Sequence, residues 1–333
     1  WEEVVTTLDA LRRGAAADRP PVLAVRASPP GPMPGLMDTV LNLGITEDTI
    51  QALSRWESGR FAAEIRVRFL RDFAATVRRV PTHRVDAVAP GLWSSNALGD
   101  ASEFELVDVA EAYERLILEE TQRPMPMTLE EQLREAIEAV FASWDRAPAR
   151  RFRASHDVSH DLGSAAVVHW MAFGTRPGEA GTGVAFSRHP MTGAPTPGGI
   201  FESGVPRPTS RTRYPGLEAF AAANPDGFAR LLEALGMLER ERRTAMRVDF
   251  ACEGDALFLL EARAAVLAPA GAVRSAVDLV DEGLLTEEEA VLQIDPDSLD
   301  GMLHPHLGPF ERPEPIAIGS AAAPGAASVS YTH

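Results

Sequence analysis

The chain has 333 residues, of which 45% are hydrophobic and 24% are charged, so it can build two or three packed lobes. That composition excludes a disordered or fibrous protein. The formal net charge of −16 argues against nucleic acid as a partner, because nucleic-acid binding needs a basic face.

Membrane and secretion signals are missing from the sequence. No stretch approaches the roughly 18 uninterrupted apolar residues of a membrane span, and the start does not resemble a signal peptide. We therefore expect no membrane partner and a cytoplasmic location. The single cysteine, Cys252, cannot form an internal disulfide, which fits a reducing compartment. Because the first residue is Trp1, we expect the numbered chain to begin inside a longer product.

The first half of the chain is patterned mostly as helix. Helical periodicity is found in the segments 2–14, 47–80, 104–119 and 128–144. Thr128 and Glu131 form a capping-box signature at the start of the last of these. The run PPVLAVRAS predicts a short strand that reaches Arg26, and we expect the following Pro- and Gly-rich loop to lead into a helix.

The second half changes to a strand pattern. Two apolar runs, AAVVHWMAFG and GTGVAFSRHP, are separated by TRPGEA, which predicts a hairpin. A helix is expected over 216–236, and then two strands in MRVDFACEGDALFLLEAR joined by a turn at 253–255. A helical hairpin follows over 272–293, broken at Gly283 and capped by Thr286. The tail at 304–327 has the composition of a linker.

The predicted hairpin around the 253–255 turn brings two carboxylates together. Asp249 and Glu261 are twelve residues apart, so two antiparallel strands would place them side by side. Such a pair can hold Mg²⁺, which takes one or two carboxylates and leaves its other positions to water and phosphate. Arg263, two residues further, would share a strand face with Glu261 and reach a phosphate. The alternative is an ordinary solvated strand edge.

Each of two further patterns has a functional interpretation and a purely structural one. In GEAGTGVAF, the glycines Gly178, Gly181 and Gly183 could bring backbone N–H groups to an anion, or could simply form a hairpin turn. His156, His160 and His169 lack a complete zinc-ligand pattern, so we interpret them as structural or surface histidines.

Several ordered segments resemble the pyruvate, phosphate dikinase family. The similar segments are VRASPPGPMPGLMDTVLNLG, EQLREAIEAVFASWDRAPARRFRASHDVSHDLGSAAVV, FGTRPGEAGTGVAFSRHPMTG, VDFACEGDALFLLEARAAV and AVRSAVDLVDEGLLTEEEAVLQIDPDSLDGMLHP. They cover most of residues 22–327 in the family's order. The resemblance implies an α+β fold with an ATP-grasp-like nucleotide-binding region, a helical sub-domain and mainly antiparallel sheets.

The resemblance also implies a domain division. We expect the start of the ATP-grasp N-terminal lobe at 1–45, a mainly helical sub-domain at 46–160 and the C-terminal lobe at 161–303. Residues 304–333 would hold a linker and the truncated start of a phosphohistidine domain, in which His333 is not the catalytic histidine. The phosphoryl acceptor would then lie on a phosphohistidine domain or protein separate from this chain.

Site residues carry over from the family by position, with ATP and Mg²⁺ as the implied cofactors. Arg26, Arg68 and Arg263 would be catalytic, facing the phosphates. The residues expected to bind the nucleotide are Arg26, Gly35, Asp38, Thr182, Gly183 and Arg263. Asp249 and Glu261 would bind the metal, where the family has Glu and Gln.

The sequence departs from the family in ways that keep two functions open. It contains no lysine, so all 32 basic residues are arginine and the family's ATP-binding lysine has no equivalent. Arg247 replaces a family aspartate on the metal strand, and ESGVPRPTSRTRYP replaces an acidic run near the nucleotide. The chain is therefore either an ATP- and Mg²⁺-binding phosphotransfer domain or a degenerate relative with a binding or regulatory role, and enzymatic activity stays open.

Overall fold

The computed structural model describes residues 20–31, 33, 35–93, 97–176, 180–204, 216–296, 298 and 299, together with positions 1, 4, 6 and 8. The chain divides into two compact units, Trp1–Met171 and Ala172–His333. Each described unit combines helices with antiparallel strands. The four-part domain division expected above stays a prediction.

The first unit is built on a small sheet covered by helices. Its described strands are β1 (Leu23–Ser28), β2 (Thr39–Leu43) and β3 (Ala165–Trp170), in the antiparallel order β2-β1-β3. Its described helices are α1 (Glu47–Trp56), α2 (Gly59–Asp72) with a π-helical continuation (Phe73–Val77), α3 (Thr82–Val88), α4 (Ala97–Asp100), α5 (Glu103–Thr121), α6 (Leu129–Trp144) and α7 (Ala147–Ser155), followed by a 3-10 turn (His160–Leu162). Of the helix predicted over 2–14, positions 4, 6 and 8 are helical and the rest lies outside the described residues.

Helix α6 shows how the sequence fixes the start and the buried face of a helix. Thr128 accepts a hydrogen bond from the Glu131 backbone N–H, and the Glu131 side chain accepts one from the Thr128 backbone N–H. This confirms the predicted capping box. The buried side of α6 carries no charged residue: it consists of Leu129, Gln132, Leu133, Ala136, Ala139, Val140, Ser143 and Trp144. That face packs against the strands of the sheet.

The expected helix after the Pro- and Gly-rich loop is wrong, because this segment is strand β2. Val40 and Leu43 are buried, which fits a short strand at the edge of the sheet. Asn42 has a φ of 58° and Gly44 a φ of 95°, which end the strand after a few residues. A Cβ on Gly44 would lie 2.8 Å from the Pro21 carbonyl oxygen, so only glycine fits there.

The predicted hairpin between the two apolar runs is also wrong. Strand β3 pairs with β1, with Val167 opposite Arg26, whereas the next strand pairs with neighbours in a second sheet. The burial pattern gives the physical reason, because β3 is half-exposed along its length while Ala180–Phe186 is buried on both faces. A strand buried on both faces needs neighbours and covering layers that β3 does not supply.

The second unit contains a sheet with one long hairpin. Its described strands are β4 (Ala180–Phe186), β5 (Gly198–Ser203), β6 (Met246–Glu253) and β7 (Ala256–Ala264), in the antiparallel order β5-β4-β6-β7. Its described helices are α8 (Glu218–Ala223), α9 (Pro225–Arg242), α10 (Pro269–Asp281) and α11 (Glu287–Leu292). The helix predicted over 216–236 is confirmed but divided at Asn224, whose side chain caps α9. The turn at 253–255 is confirmed, with Gly254 at a φ of 55°.

An aromatic core lies between this sheet and α8 and α9. Phe201, Phe220 and Phe250 contact one another with ring centroids 4.9–6.1 Å apart. Leu231 and Leu235 of α9 complete the buried cluster. The predicted helical hairpin is confirmed as α10 and α11, and Thr286 caps α11.

A buried arginine ties three carboxylates together in the second unit. The Arg188 side chain is 1% exposed and donates to Glu239 at 2.9 Å and to Glu282 at 2.7 Å. Asp278 lies 3.7 Å away. Glu239 belongs to α9, Asp278 belongs to α10, and Glu282 comes directly after α10. Arg188 therefore links α10 to α9.

Some predictions concern positions that the structure does not describe. Gly178, most of ESGVPRPTSRTRYP and the tail from 304 onward lie outside the described residues. Of the helices that are described, none is long and apolar enough to cross a membrane.

Candidate functional site

Arg26 lies on the central strand of the first sheet. It is opposite Thr39 of β2 and Val167 of β3, so these side chains share one face of the sheet. Arg26 Nε donates a hydrogen bond to His169 Nε2 at 3.2 Å. The side chain is half-buried, so the sheet fixes its base and leaves part of it accessible.

The loop after β1 is anchored by apolar contacts. Met33 packs with Trp144 and Ala149, and Leu36 and Met37 join the same cluster. Gly35 between them has a φ of 70° and is exposed, with open space where a Cβ would be. Glycine is therefore required for the backbone conformation of the turn rather than for space.

Asp38 closes this loop through ion pairs. Its carboxylate accepts from Arg146 Nη1 at 2.8 Å and from Arg146 Nη2, and Arg79 Nη2 lies 3.3 Å away. Its backbone N–H donates to Ser143 Oγ at 3.2 Å. The side chain is 14% exposed. These contacts hold the loop to the end of α6 and to α7, and a role for Asp38 toward nucleotide stays a prediction.

Arg68 is also held by a carboxylate. It lies on α2, where Glu64 one turn earlier accepts from Arg68 Nε at 2.9 Å and from Arg60 Nη1 at 3.2 Å. The Glu64 side chain is 6% exposed. The structure does not place Arg68 in contact with Arg26, and its phosphate-facing role stays a prediction.

In the second unit, β6 and β7 bring the predicted metal and phosphate residues together. Asp249 is directly opposite Glu261, and Arg247 is directly opposite Arg263. These four residues, which we call the charged square, lie on one face of the hairpin because residues two apart on a strand share a face. A register shift follows immediately after Asp249.

Contacts within the charged square pair each acid with an arginine. Arg247 Nε donates to Asp249 Oδ1 at 2.9 Å, and Arg263 Nη1 lies 3.8 Å from Glu261 Oε1. The exposed fractions of the four side chains are 30% for Arg247, 28% for Asp249, 45% for Glu261 and 25% for Arg263. The square is therefore reachable from solvent.

The chemistry of this donor set fits a hard divalent cation that also binds phosphate. Two opposed carboxylates match Mg²⁺, which needs only one or two protein carboxylates when phosphate oxygens and water fill the other positions. In the part of the chain that the structure describes, no group of three or more His, Cys, Asp or Glu side chains could hold a metal ion alone. Arg247 competes with any cation for Asp249.

Thr182 and Gly183 lie inside β4 and not in the expected glycine-rich turn. Both are flanked by β5 and β6, so their backbone belongs to the ladders of a central strand. A Cβ on Gly183 would lie 2.3 Å from Phe250 Cζ, and one on Gly181 2.5 Å from Phe201 Cζ. These glycines make room for the aromatic core, and contact of Thr182 or Gly183 with nucleotide stays a prediction.

Sequence reasoning missed the partners of the predicted residues. The sequence indicates only a structural or surface role for His169, without its contact with Arg26, and it does not indicate that Arg146 and Arg79 hold Asp38. The pairing of β1 with β3 is the feature that places His169 beside Arg26. The sequence pattern predicts that β3 pairs with β4 instead, so it does not indicate this contact.

A groove of about 610 Å³ in the first unit is lined by residues of the described segments 45–70 and 111–132, including Phe69, Leu118 and Met127. None of its lining residues is a predicted site residue. We therefore assign the site from the chemistry of its side chains and not from this groove.

Comparison with known proteins identifies the family. Residues 1–201 match the family described as "Pyruvate phosphate dikinase, AMP/ATP-binding domain". The chain is 32% identical over 346 residues to pyruvate, phosphate dikinase 1, chloroplastic, of Arabidopsis thaliana, covering 98% of this chain and 35% of the relative. It is 34% identical over 338 residues to pyruvate, phosphate dikinase of Rhizobium meliloti (strain 1021), covering 93% of this chain and 37% of the relative.

These findings define the chain first as a nucleotide-binding domain of the AMP/ATP-binding class. It belongs to the pyruvate phosphate dikinase family. The family and the antiparallel sheets confirm the expected α+β fold class with its ATP-grasp-like nucleotide-binding region. The chain spans between 35% and 37% of the length of these two relatives.

Proposed function

We propose that the chain binds ATP together with Mg²⁺ and holds it for phosphoryl transfer to a histidine on a phosphohistidine domain or protein outside this chain. The observation that carries the proposal is the charged square, where Asp249 faces Glu261 and an arginine stands beside each carboxylate. Phosphoryl transfer needs mainly positioning and charge neutralisation, which metal ions and arginines supply.

Three residues of the square have distinct roles in this proposal. Asp249 and Glu261 would hold Mg²⁺, which neutralises charge on the phosphate oxygens when bound. Arg263 would donate hydrogen bonds to a phosphate, because a guanidinium matches phosphate geometry with paired donors. For Arg26 and Arg68 we propose the phosphate-facing role that the family resemblance implies, since the chain has arginine and no lysine. For Gly35, Asp38, Thr182 and Gly183 we propose contact with the nucleotide on the same ground.

The proposed domain organisation follows the same family pattern. We propose lobes at 1–45 and 161–303, a mainly helical sub-domain at 46–160, and a linker with the start of a phosphohistidine domain at 304–333. A histidine outside the lobes would then receive the phosphoryl group.

The test is calorimetric titration of the chain with ATP in excess Mg²⁺ and in EDTA. We expect binding with Mg²⁺ that weakens by at least tenfold in EDTA, because the carboxylates of the square repel unshielded phosphate. Arg26→Met should weaken binding in both conditions, while Arg151→Met, an exposed arginine on α7, should not. A folded chain that binds no ATP in either condition contradicts the proposal.

One observation favours a second function, that of a binding or regulatory partner without catalysis. Arg247 Nε donates a hydrogen bond to Asp249 Oδ1 at 2.9 Å, so an arginine already holds a carboxylate that is expected to bind the metal. In that case ATP would bind without dependence on Mg²⁺, or not at all, and no phosphoryl group would leave it. The same titration separates the two functions.

A further inference from the structure

The hydrogen-bond partners of His169 determine which of its ring nitrogens carries a proton. His169 lies opposite Ala24, two residues from Arg26 on the same face of the sheet. Arg26 Nε can only donate, so His169 Nε2, at 3.2 Å, accepts and carries no hydrogen. The Trp170 carbonyl oxygen, 2.7 Å from Nδ1, can only accept, so the proton is on Nδ1. Both contacts thus require a neutral imidazole in a single tautomer.

We propose that neutral His169 is a positioning residue that orients the Arg26 guanidinium toward a nucleotide phosphate, and that protonation of His169 breaks its hydrogen bond to Arg26. This inference rests on the proposed function, which assigns Arg26 to the phosphates. The histidine acts through Arg26 and does not itself contact the nucleotide.

Protonation removes the contact for two physical reasons. A second N–H on Nε2 would point at the N–H of Arg26 Nε, where two donors cannot share a hydrogen bond. Two positive charges would also lie next to each other on a half-buried face. The guanidinium then loses the hydrogen bond that fixes its Nε against the sheet.

The surroundings of His169 favour the neutral form. Burial lowers the pKa of His169 below its ordinary value, and the Arg26 charge lowers that pKa further, against the opposing hydrogen bond to Trp170. Of the described elements packed on β3, β1 contributes the Arg26 charge, and the buried face of α6 contributes no charged group. The histidine is therefore neutral near pH 7 and becomes charged in acid.

Two variants separate the hydrogen bond from the charge. His169→Gln places an acceptor near the position of Nε2 and cannot titrate. His169→Leu keeps comparable bulk and removes the acceptor. His83→Gln, an exposed histidine on α3, serves as the matched control.

Mg²⁺-ATP affinity is measured by calorimetry for the wild type and each variant at pH 8 and at a pH one unit below the His169 pKa that NMR titration gives, where circular dichroism shows the protein folded. At pH 8 we expect His169→Gln to bind Mg²⁺-ATP within about twofold of the wild type. We expect His169→Leu to bind it about tenfold more weakly, because this variant loses the hydrogen bond to the charged Arg26 side chain. Between the two pH values the wild type should lose several-fold more affinity than His169→Gln, which corrects for titration of the nucleotide. His83→Gln should follow the wild type.

A nucleotide-free measurement keeps this inference separate from the proposed function. ¹⁵N NMR of the histidine rings should show the Nδ1–H tautomer for His169, and Arg26→Met should raise its pKa by removing the adjacent charge. Wild-type affinity in His169→Leu, or an equal loss in His169→Gln and His169→Leu, overturns the inference while ATP binding stands. The Nε2–H tautomer overturns it as well, whether or not ATP binds. If no protein binds ATP, the proposed function fails and the positioning role fails with it.

Discussion

Gly183 offers a sharp test of what the glycines of β4 do. The perturbation is Gly183→Ala, which adds one methyl group to a central strand. Its Cβ would lie 2.3 Å from Phe250 Cζ, 2.4 Å from Phe250 Cε1 and 2.7 Å from the Ile200 carbonyl oxygen. Ordinary van der Waals contact begins near 3.4 Å, so the ring has to move by about 1 Å.

The ring has little room for that movement. Phe250 is 0% exposed, and Phe220 and Phe201 lie against it with centroids 5.0 and 6.1 Å away. Overpacking of a well-filled core typically costs about 1–3 kcal/mol. The opposing gain from a stiffer unfolded chain is only about 0.4–1 kcal/mol. We expect a net loss of about 1–2 kcal/mol and a fall in melting temperature of roughly 2–8 °C.

The assay is thermal and urea unfolding followed by circular dichroism. Gly198→Ala is the matched control, since Gly198 is on edge strand β5 with open space where a Cβ would be. It should leave stability unchanged or slightly higher. Phe250→Leu removes the two ring atoms that clash, so it should cost less stability in the Gly183→Ala background than in the wild type.

Equal melting temperatures for Gly183→Ala and the wild type would refute the packing argument. An equal loss in Gly198→Ala would refute it too, because it would make the effect a general property of glycine in this sheet. A folded Gly183→Ala protein that loses only ATP binding would assign Gly183 to the nucleotide instead.

Two further predictions concern the arginines. Arg247→Gln frees Asp249 from its ion pair and should strengthen Mg²⁺-ATP binding about fivefold. This factor corresponds to an energy on the order of 1 kcal/mol, which is the effect of one neighbouring charge near water. Unchanged or weaker binding by calorimetry would argue against a metal at Asp249. Arg188→Ala leaves carboxylates without their buried partner and should cost about 3–5 kcal/mol in urea unfolding. Arg243→Ala removes an exposed ion pair and should cost far less stability than Arg188→Ala. Similar losses for both variants would contradict the role of burial.

Local patterns predicted most of the elements correctly. Capping boxes at Thr128 and Thr286 and the turn at Gly254 depend on neighbouring residues, so the sequence contains all the information they need. The opposition of Asp249 and Glu261 followed from the same hairpin, because a tight turn determines which residues meet.

Pairings between distant segments could not be predicted in the same way. The pairing of β3 with β1 joins residues more than 130 positions apart, and nothing local distinguishes it from a hairpin with β4. Likewise, Arg146 is 108 residues from Asp38, so the ion pair became visible only in the fold. The helix expected after the Pro- and Gly-rich loop is strand β2 instead, and the left-handed conformations of Asn42 and Gly44 would interrupt a right-handed helix there.

In the proposed function, Asp249 and Glu261 of the charged square hold a metal for ATP. The decisive measurement is calorimetric titration of Mg²⁺-ATP into the Asp249→Ala/Glu261→Ala double variant. Glu233→Ala/Glu241→Ala, which removes two exposed carboxylates from α9, is the control of equal charge. We expect the Asp249→Ala/Glu261→Ala variant to bind Mg²⁺-ATP at least tenfold more weakly than the wild type, and the control to bind it normally. Equal affinity in both folded variants would contradict a metal site on the β6–β7 hairpin.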